Sequence, residues 1–274
     1  MALVTGGGSG IGLMATQALA VNGAKVYISG RTPEKLEKVV ELYSKNIPGQ
    51  IIPIAADVTT KESINKLARE VESKEKALHI LINNAGISSF KANTDAESAE
   101  ELQQELFHQD NSNFEEWENV FRTNVTQAFF TTTAFLPLLQ NGTDTEHGWS
   151  STVINISSIS GIIKSSQRHF AYNTSKAAAI HLSKMLAQEI SSSGLKIRVN
   201  NIAPGVFPSE MTSTGSHETQ KSNVPRSKFE NLPAARPGRE EDMAAAVLFA
   251  AANQYLNAQT IVVDGGYVLA TGAV

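Results

Sequence analysis

Cysteine is absent from the 274-residue chain, which removes disulfides, thiol nucleophiles and zinc-thiolate sites together. The six histidines are scattered, with no HExxH or HxxxH pair to hold a metal from one helical face, so no metal site is expected. Positive charge is also short. With 23 Lys and Arg against 27 Asp and Glu the net charge is -4, and without a basic surplus to neutralise phosphates, nucleic acid is not an expected partner. No apolar run of about 18 residues occurs, so no membrane-spanning helix is expected. The opening MALVTGGGSG lacks the basic region and apolar stretch of a signal peptide. The expectation is a soluble, cytoplasmic protein with no membrane partner, in which the sequons at Asn124, Asn141, Asn155 and Asn173 carry no glycans.

What is present is ample material for a core. Hydrophobic residues make up 41% and charged residues 18%, a globular balance. Short β-branched or apolar runs recur: ALVT (2–5), KVYIS (25–29), IIPIA (51–55), HILI (79–82), TVINIS (152–157), KIRVNNI (196–202) and TIVV (260–263). Between them lie helical patterns with their punctuation, such as Thr32-Pro33 at a helix start and Gly23 after a helix end. Strand and helix in alternation give parallel βαβ units with right-handed crossovers. The expected fold class is α/β: a doubly wound, Rossmann-like parallel sheet of about seven strands with helices on both faces. No linker or repeat interrupts it, so residues 1–274 are expected to form a single domain.

The stretch TGGGSGIG (5–12) follows the first strand and opens the first helix. Its glycines permit a tight turn and close backbone approach, and the helix N-terminus behind them presents unpaired N–H groups, a cradle for a pyrophosphate. The second strand ends in Ser29-Gly30-Arg31, with no acid for a ribose 2'-hydroxyl. Arg31 offers a planar guanidinium to a 2'-phosphate, which favours NADP(H) over NAD(H); the alternative is an ordinary surface arginine at a helix start.

In AYNTSK (171–176) a phenol and an ammonium stand four residues apart. On a helix, Tyr172 and Lys176 share one face, and a neighbouring cation lowers a phenol's pKa. Read alone, the pair also fits a surface helix with a chance tyrosine and lysine.

Taken together, TGGGSGIG, NNAG (83–86), RTNVTQAFF around Asn124, INISSISG, AYNTSK and APG (203–205) resemble the short-chain dehydrogenase/reductase family over essentially the whole chain. The resemblance implies an NADP(H)-dependent oxidoreductase that interconverts a small-molecule ketone and a secondary alcohol. Tyr172 would be the acid/base and Lys176 would hold the nicotinamide ribose and lower the phenol's pKa. Ser158, with Ser157 and Ser160 close by, would donate to the substrate oxygen. Asn124 would hold a water leading from Lys176 to solvent. The implied cofactor site comprises Thr5, Gly6, Ser9, Gly10, Ile11, Gly12, Arg31, Asp57 and Val58, then Asn84, Ala85 and Gly86, together with Tyr172, Lys176, Val206 and Ser209. Asp57 would meet the adenine, and Val206 and Ser209 the carboxamide.

The family commonly pairs the helices carrying Asn124 and Tyr172 with symmetry mates, and here those helices are apolar on more than one side. A homo-oligomer, a tetramer or a dimer, is therefore expected.

Three features depart from the family pattern. The chain begins inside its first strand, so a shortened sheet centre or a truncated start is expected. An insertion over about 88–113 follows NNAG, where a helical lid is expected, and a substrate loop is expected over about 206–233. Phe90, Ile162, Lys164, His169, Phe207 and Met211 are candidate pocket residues. Lys164 and Arg168 are read either as contacts to an anionic carrier arm or as solvated loop charges. FPSEMT (207–212) is similar to the corresponding stretch of 3-oxoacyl reductases of the rhamnolipid type, which points to an acyl or polyketide-like carbonyl. Two other functions fit the same residues: an NAD-dependent alcohol dehydrogenase, and a catalytically idle NADP-binding sensor or scaffold.

Overall fold

The computed structural model describes residues 1–213, 218–230 and 232–274, with backbone alone for Arg226 and Lys228. Seven parallel strands form one sheet in the order β3-β2-β1-β4-β5-β6-β7. They are β1 (Ala2–Thr5), β2 (Lys25–Gly30), β3 (Gln50–Ala55), β4 (Ile80–Asn83), β5 (Thr152–Ile156), β6 (Arg198–Pro204) and β7 (Thr260–Val263). All seven correspond to the runs read from the sequence, with ends displaced by two residues at most. The helices are α1 (Gly10–Val21), α2 (Pro33–Tyr43), α3 (Lys61–Lys74), α4 (Ala99–Leu106), α5 (Phe114–Phe121), α6 (Gln127–Ala134), α7 (Leu136–Thr145), α8 (Phe170–Ser192), α9 (Glu240–Ala252) and α10 (Tyr267–Thr271).

Each central strand alternates its side chains between two hydrophobic clusters, as a period of two requires. Val4, Ile28, Ile82 and Ile154 face the cluster that includes Leu13 and Leu19 of α1, Leu36 of α2 and Met243 and Val247 of α9. Their neighbours Leu3, Tyr27, Leu81 and Val153 face the cluster that includes Leu67 of α3, Leu139 of α7 and Leu186 of α8. Strands buried on both faces read as continuous apolar runs, and that is why they were legible.

The helix starts are built locally. Thr60, Ser98 and Asn113 cap α3, α4 and α5 by accepting from the backbone N–H groups of Ser63, Glu101 and Glu116. Thr32 stands at the N-cap of α2 with Pro33 following it, but its side chain makes no capping bond. The insertion contributes α4, which buries none of its residues. Of the substrate loop expected at about 206–233, residues 214–217 and 231 lie outside the described residues.

The order of strands reverses between β1 and β4, and there the connections leave in opposite directions and open a crevice beyond the carboxyl ends of the strands. No helix among the described residues is long and apolar enough to cross a membrane.

Candidate active site

The crevice is a cleft of about 290 Å³ at the carboxyl end of the sheet. Its floor is the glycine-rich turn. Gly6 N–H donates to the Ser29 carbonyl at 2.7 Å, which folds the turn back on β2, and Gly6 and Gly10 take φ of 66° and 52°, a conformation suited to glycine. Gly12 is required by space: a Cβ there would lie 2.1 Å from the Gly6 carbonyl oxygen and 2.5 Å from Asn84 Nδ2. Thr5 ties this turn to the next. Its Oγ1 accepts from the backbone N–H groups of Asn84 at 3.0 Å and Ala85 at 3.1 Å, and Asn84 Nδ2 returns bonds to the carbonyls of Thr5 and Gly6.

Of the residues expected to bind a cofactor, Gly6, Ser9, Gly10, Ile11, Arg31, Asp57, Val58, Asn84, Ala85, Gly86, Ser209, Tyr172 and Lys176 line the cleft. Thr5 and Gly12 sit behind it and shape it. Val206 lies in the wall of an adjoining cavity of about 140 Å³ that shares Phe207 with the cleft. Asp57 Oδ1 accepts from both the N–H and the hydroxyl of Thr59. Burial would raise this carboxyl, but the two Thr59 bonds and the nearby Arg31 charge outweigh it and leave the pKa below the usual value.

The residues present fit a dinucleotide. Ser9 stands at the N-cap of α1 without spending its side chain on the helix, and Ser29 Oγ is buried in the cleft wall with no hydrogen-bond partner. A buried hydroxyl left without a partner is unfavourable unless a ligand engages it. In the sequence Ser29 is noted only as part of Ser29-Gly30-Arg31, where an acid is lacking, and is given no role of its own.

At the other end of the cleft stand Ser158, Tyr172 and Lys176. Ser158 follows β5 and caps a short 3-10 turn (Ile159–Gly161), its Oγ accepting from Ser160 N–H at 3.1 Å. Tyr172 lies in the first turn of α8 and lines the cleft with Ser158, whose hydroxyl is near enough to act on the phenol's pKa. Lys176, one turn on, is 4% exposed, lies 5.5 Å over the Tyr172 ring and donates to the Ile156 carbonyl at 3.1 Å.

The expected acidified phenol is corrected here. Burial pushes Tyr172 above its ordinary pKa and the Ser158 hydroxyl only partly opposes it, because a phenolate loses more by desolvation than one neutral donor returns. Burial likewise lowers Lys176 to about 8.

Asn124 is brought to this end by a π-helical turn, Arg122–Thr126, between α5 and α6, a distortion that is frequent at functional sites. Its Oδ1 accepts from Ile87 N–H at 2.8 Å, while Nδ2 donates to the Ile87 carbonyl at 2.9 Å and to Ser175 Oγ at 3.0 Å. The amide thus locks the segment after NNAG. A Cβ on Gly86 would lie 3.1 Å from Asn124 Oδ1 and 3.5 Å from Lys176 Nζ, so glycine keeps the space between the two polar atoms clear.

Of the candidate pocket residues, Phe207 and Met211 line the cleft. His169 sits beside Tyr172 with ring centroids 6.5 Å apart. Phe90 N–H is held by Glu116 Oε1 at 2.7 Å. Ile162 meets the carboxyl-terminal segment through a bond from Val274 N–H. Arg168 pairs with Asp95 of the insertion, a third reading besides the two considered for it.

The family described as short chain dehydrogenase matches residues 1–220. The short-chain dehydrogenase/reductase PhomF of Diaporthe leptostromiformis is 38% identical over 277 residues, covering 99% of this chain and 92% of the relative. The rhamnolipids biosynthesis 3-oxoacyl-[acyl-carrier-protein] reductase of Pseudomonas aeruginosa is 35% identical over 271 residues, 98% of this chain and 96% of the relative. Among solved structures, the Pseudomonas aeruginosa RhlG/NADP active-site complex superimposes with a TM-score of 0.79 at 34% identity, covering 97% of this chain and 95% of the other. With its seven-stranded parallel sheet and matches of this extent, the chain belongs to the short-chain dehydrogenase/reductase family of oxidoreductases.

Proposed function

We propose that the protein is an NADP(H)-dependent reductase of ketones, with a 3-oxoacyl or polyketide-like carbonyl as its substrate class and Tyr172 as the acid/base. The observation that carries this reading is a single cleft holding a phosphate-type turn at one end and Ser158, Tyr172 and Lys176 at the other. The names of the relatives, a 3-oxoacyl reductase and an NADP complex, point the same way.

The residues that would hold the cofactor follow the cleft. The N-terminus of α1 with Gly6, Ser9, Gly10 and Ile11 receives the pyrophosphate, Asp57 and Val58 flank the adenine, and Asn84, Ala85 and Gly86 line the middle. Arg31, exposed at the cleft edge, receives a 2'-phosphate. Val206 and Ser209 belong to the carboxamide end. When bound, the nicotinamide supplies a hydride to the carbonyl carbon.

The chain's own groups handle the oxygen. Ser158 Oγ donates a hydrogen bond to the substrate oxygen as negative charge develops on it. Tyr172 then gives that oxygen its proton. Burial keeps the phenol protonated at neutral pH, which is the state needed for reduction, and the Lys176 ammonium over the ring stabilises the phenolate that results. Lys176 Nζ and Asn124 Oδ1 face the space beside Gly86, where a water would return a proton from solvent. Phe207 and Met211 supply an apolar wall for the substrate's carbon chain.

The whole chain acts as one catalytic unit, and it works as a homo-oligomer. Phe129 on α6 and Met185 on α8 are 41% and 52% exposed, while Val120, Phe135 and Leu186 nearby are buried. Large apolar side chains left outward on α8, which carries Tyr172 and Lys176, and on α6, which follows the turn carrying Asn124, favour pairing with a second copy.

The test is NADPH and NADH oxidation with 3-oxobutanoyl, 3-oxohexanoyl and 3-oxodecanoyl N-acetylcysteamine thioesters and with cyclohexanone. Faster oxidation of NADPH with the thioesters supports the reading. A preference for NADH makes the protein an NAD-dependent enzyme, and binding of NADPH without turnover of any ketone makes it a binder.

A further inference from the structure

Between Ser158 and Tyr172 the backbone does something rare. Gln167 and Arg168 are consecutive non-glycine residues with φ of 50° and 67°, a left-handed conformation that persists only where surroundings over-determine it and that clusters at functional sites. Gln167 N–H donates to Ser165 Oγ at 3.3 Å and Arg168 N–H to Ser166 Oγ at 3.1 Å. The Arg168 carbonyl accepts from Ala92 N–H at 2.9 Å, and its guanidinium pairs with Asp95. The insertion therefore straps this turn down.

The strained turn joins the Gln167 side chain to two partners. Its Oε1 accepts from the Ser160 hydroxyl at 2.8 Å and its Nε2 donates to the Tyr267 hydroxyl at 3.1 Å. Ser160 is the residue whose N–H occupies a lone pair of Ser158 Oγ. Tyr267 is itself fixed: it opens α10, whose first turn is held by Asp264 accepting from Gly266 N–H at 2.9 Å and Val268 N–H at 2.7 Å. The chain end beyond α10 pairs back on the same loop through an antiparallel bridge between Ile163 and Ala273.

We propose that Gln167 is a positioning residue: by joining Ser160 to Tyr267 it fixes the turn that presents the Ser158 hydroxyl, and it makes the carboxyl-terminal helix a working part of the active site. The inference rests on the reduction proposed above. With the Ser160 N–H on one lone pair, the Ser158 proton is directed away from the turn and toward the cleft, where the substrate oxygen would lie. Without Gln167, the Ser160 hydroxyl loses its acceptor and the turn loses its tether to Tyr267, so Ser158 samples orientations that waste its donor.

The test is a double-mutant comparison in the full chain with NADPH and the 3-oxohexanoyl thioester. Removing an oxyanion donor outright costs roughly 10² to 10³ in kcat, and loss of its orientation alone should cost less, about tenfold for Gln167→Ala, with KM for NADPH unchanged. Tyr267→Phe should lower kcat in the same direction. Gln167→Glu, which can accept from both hydroxyls, should retain most of the rate. In a Ser158→Ala background, Gln167→Ala should cost nothing further.

A second readout needs no substrate. With ¹³C-labelled tyrosine, Gln167→Ala should raise the titration midpoint of Tyr172, because the Ser158 hydroxyl that lowers it is no longer held in place by the turn, and this effect too should vanish in Ser158→Ala. Additive losses, or an unmoved Tyr172 midpoint with an unchanged kcat, overturn the inference. Absence of turnover in the wild type would instead defeat the proposed reduction, and the Tyr172 titration would still decide the role of Gln167. If Gln167→Ala does not fold, Tyr267→Phe, which removes one hydroxyl, carries both measurements.

Discussion

Lys176 Nζ lies 5.5 Å over the ring of Tyr172 and spends a hydrogen bond on the Ile156 carbonyl at 3.1 Å. The ammonium is thus held over the ring by the end of β5 instead of being bonded to the phenol hydroxyl. That placement explains why helical spacing alone misjudged the resting phenol. A face-sharing cation predicts a lowered pKa, whereas burial of both groups raises Tyr172 and lowers Lys176 to about 8.

The depressed lysine makes stability depend on pH. Below about 8 both the folded and the unfolded chain hold the Lys176 proton, and above the ordinary value of 10.5 neither does. Between these limits the unfolded chain binds more protons, so this residue's contribution to stability rises with pH. Denaturant unfolding of the wild type minus that of Lys176→Met should show the rise across that window. A flat difference would mean that the ammonium is not desolvated as described.

Cofactor choice should turn on Arg31. Arg31→Asp replaces a phosphate partner with an acceptor for a ribose hydroxyl and adds repulsion against a 2'-phosphate. The ratio of NADPH to NADH affinities should fall or invert, as titration of both cofactors into wild type and variant would show. An unchanged ratio assigns the 2' position to another residue.

Gly12→Ala should damage the fold of the glycine-rich turn. The added carbon would meet the Gly6 carbonyl at 2.1 Å and Asn84 Nδ2 at 2.5 Å, and a backbone atom cannot swing aside as a flexible side chain can. A loss of about 1 to 3 kcal/mol or more is expected from overpacking. Thermal unfolding without cofactor measures it, and a wild-type midpoint would count against the close approach described.

Asn124→Ala strips both partners from the Ile87 backbone. Leaving a buried donor and acceptor unsatisfied costs roughly 1 to 3 kcal/mol each before water compensates. Stability should fall along with turnover. If stability is untouched and only turnover falls, Asn124 acts on proton return alone.

The sheet was legible because strands covered on both faces are uninterrupted apolar runs, and the glycine-rich turn because Gly6 and Gly12 are forced by φ and by space. Sequence spacing also placed Tyr172 and Lys176 on one helical face. It did not reveal the π-helical turn that carries Asn124, since RTNVTQAFF reads as ordinary helix and the extra residue per turn is imposed by tertiary contacts such as those to Ile87 and Ser175. The Ser29 hydroxyl was given no role for a similar reason: only the assembled sheet shows it buried without a partner. In the Ser160–Gln167–Tyr267 link the Gln167–Tyr267 bond alone spans 100 positions, and no local pattern encodes it.

The proposed homo-oligomer rests on the exposed Phe129 and Met185. Light scattering at micromolar concentration should report a dimer or tetramer, and Met185→Glu, which sets a charge into the proposed contact, should shift the mass downward. A monomer mass for the wild type would end the proposal.

The central claim is that the Tyr172 hydroxyl is the proton donor. Tyr172→Phe deletes that hydroxyl and leaves the ring over Lys176 in place. Turnover of the 3-oxohexanoyl thioester with NADPH should drop by a factor on the order of 10² to 10⁴, with NADPH affinity unchanged. Turnover close to that of the wild type would contradict the account.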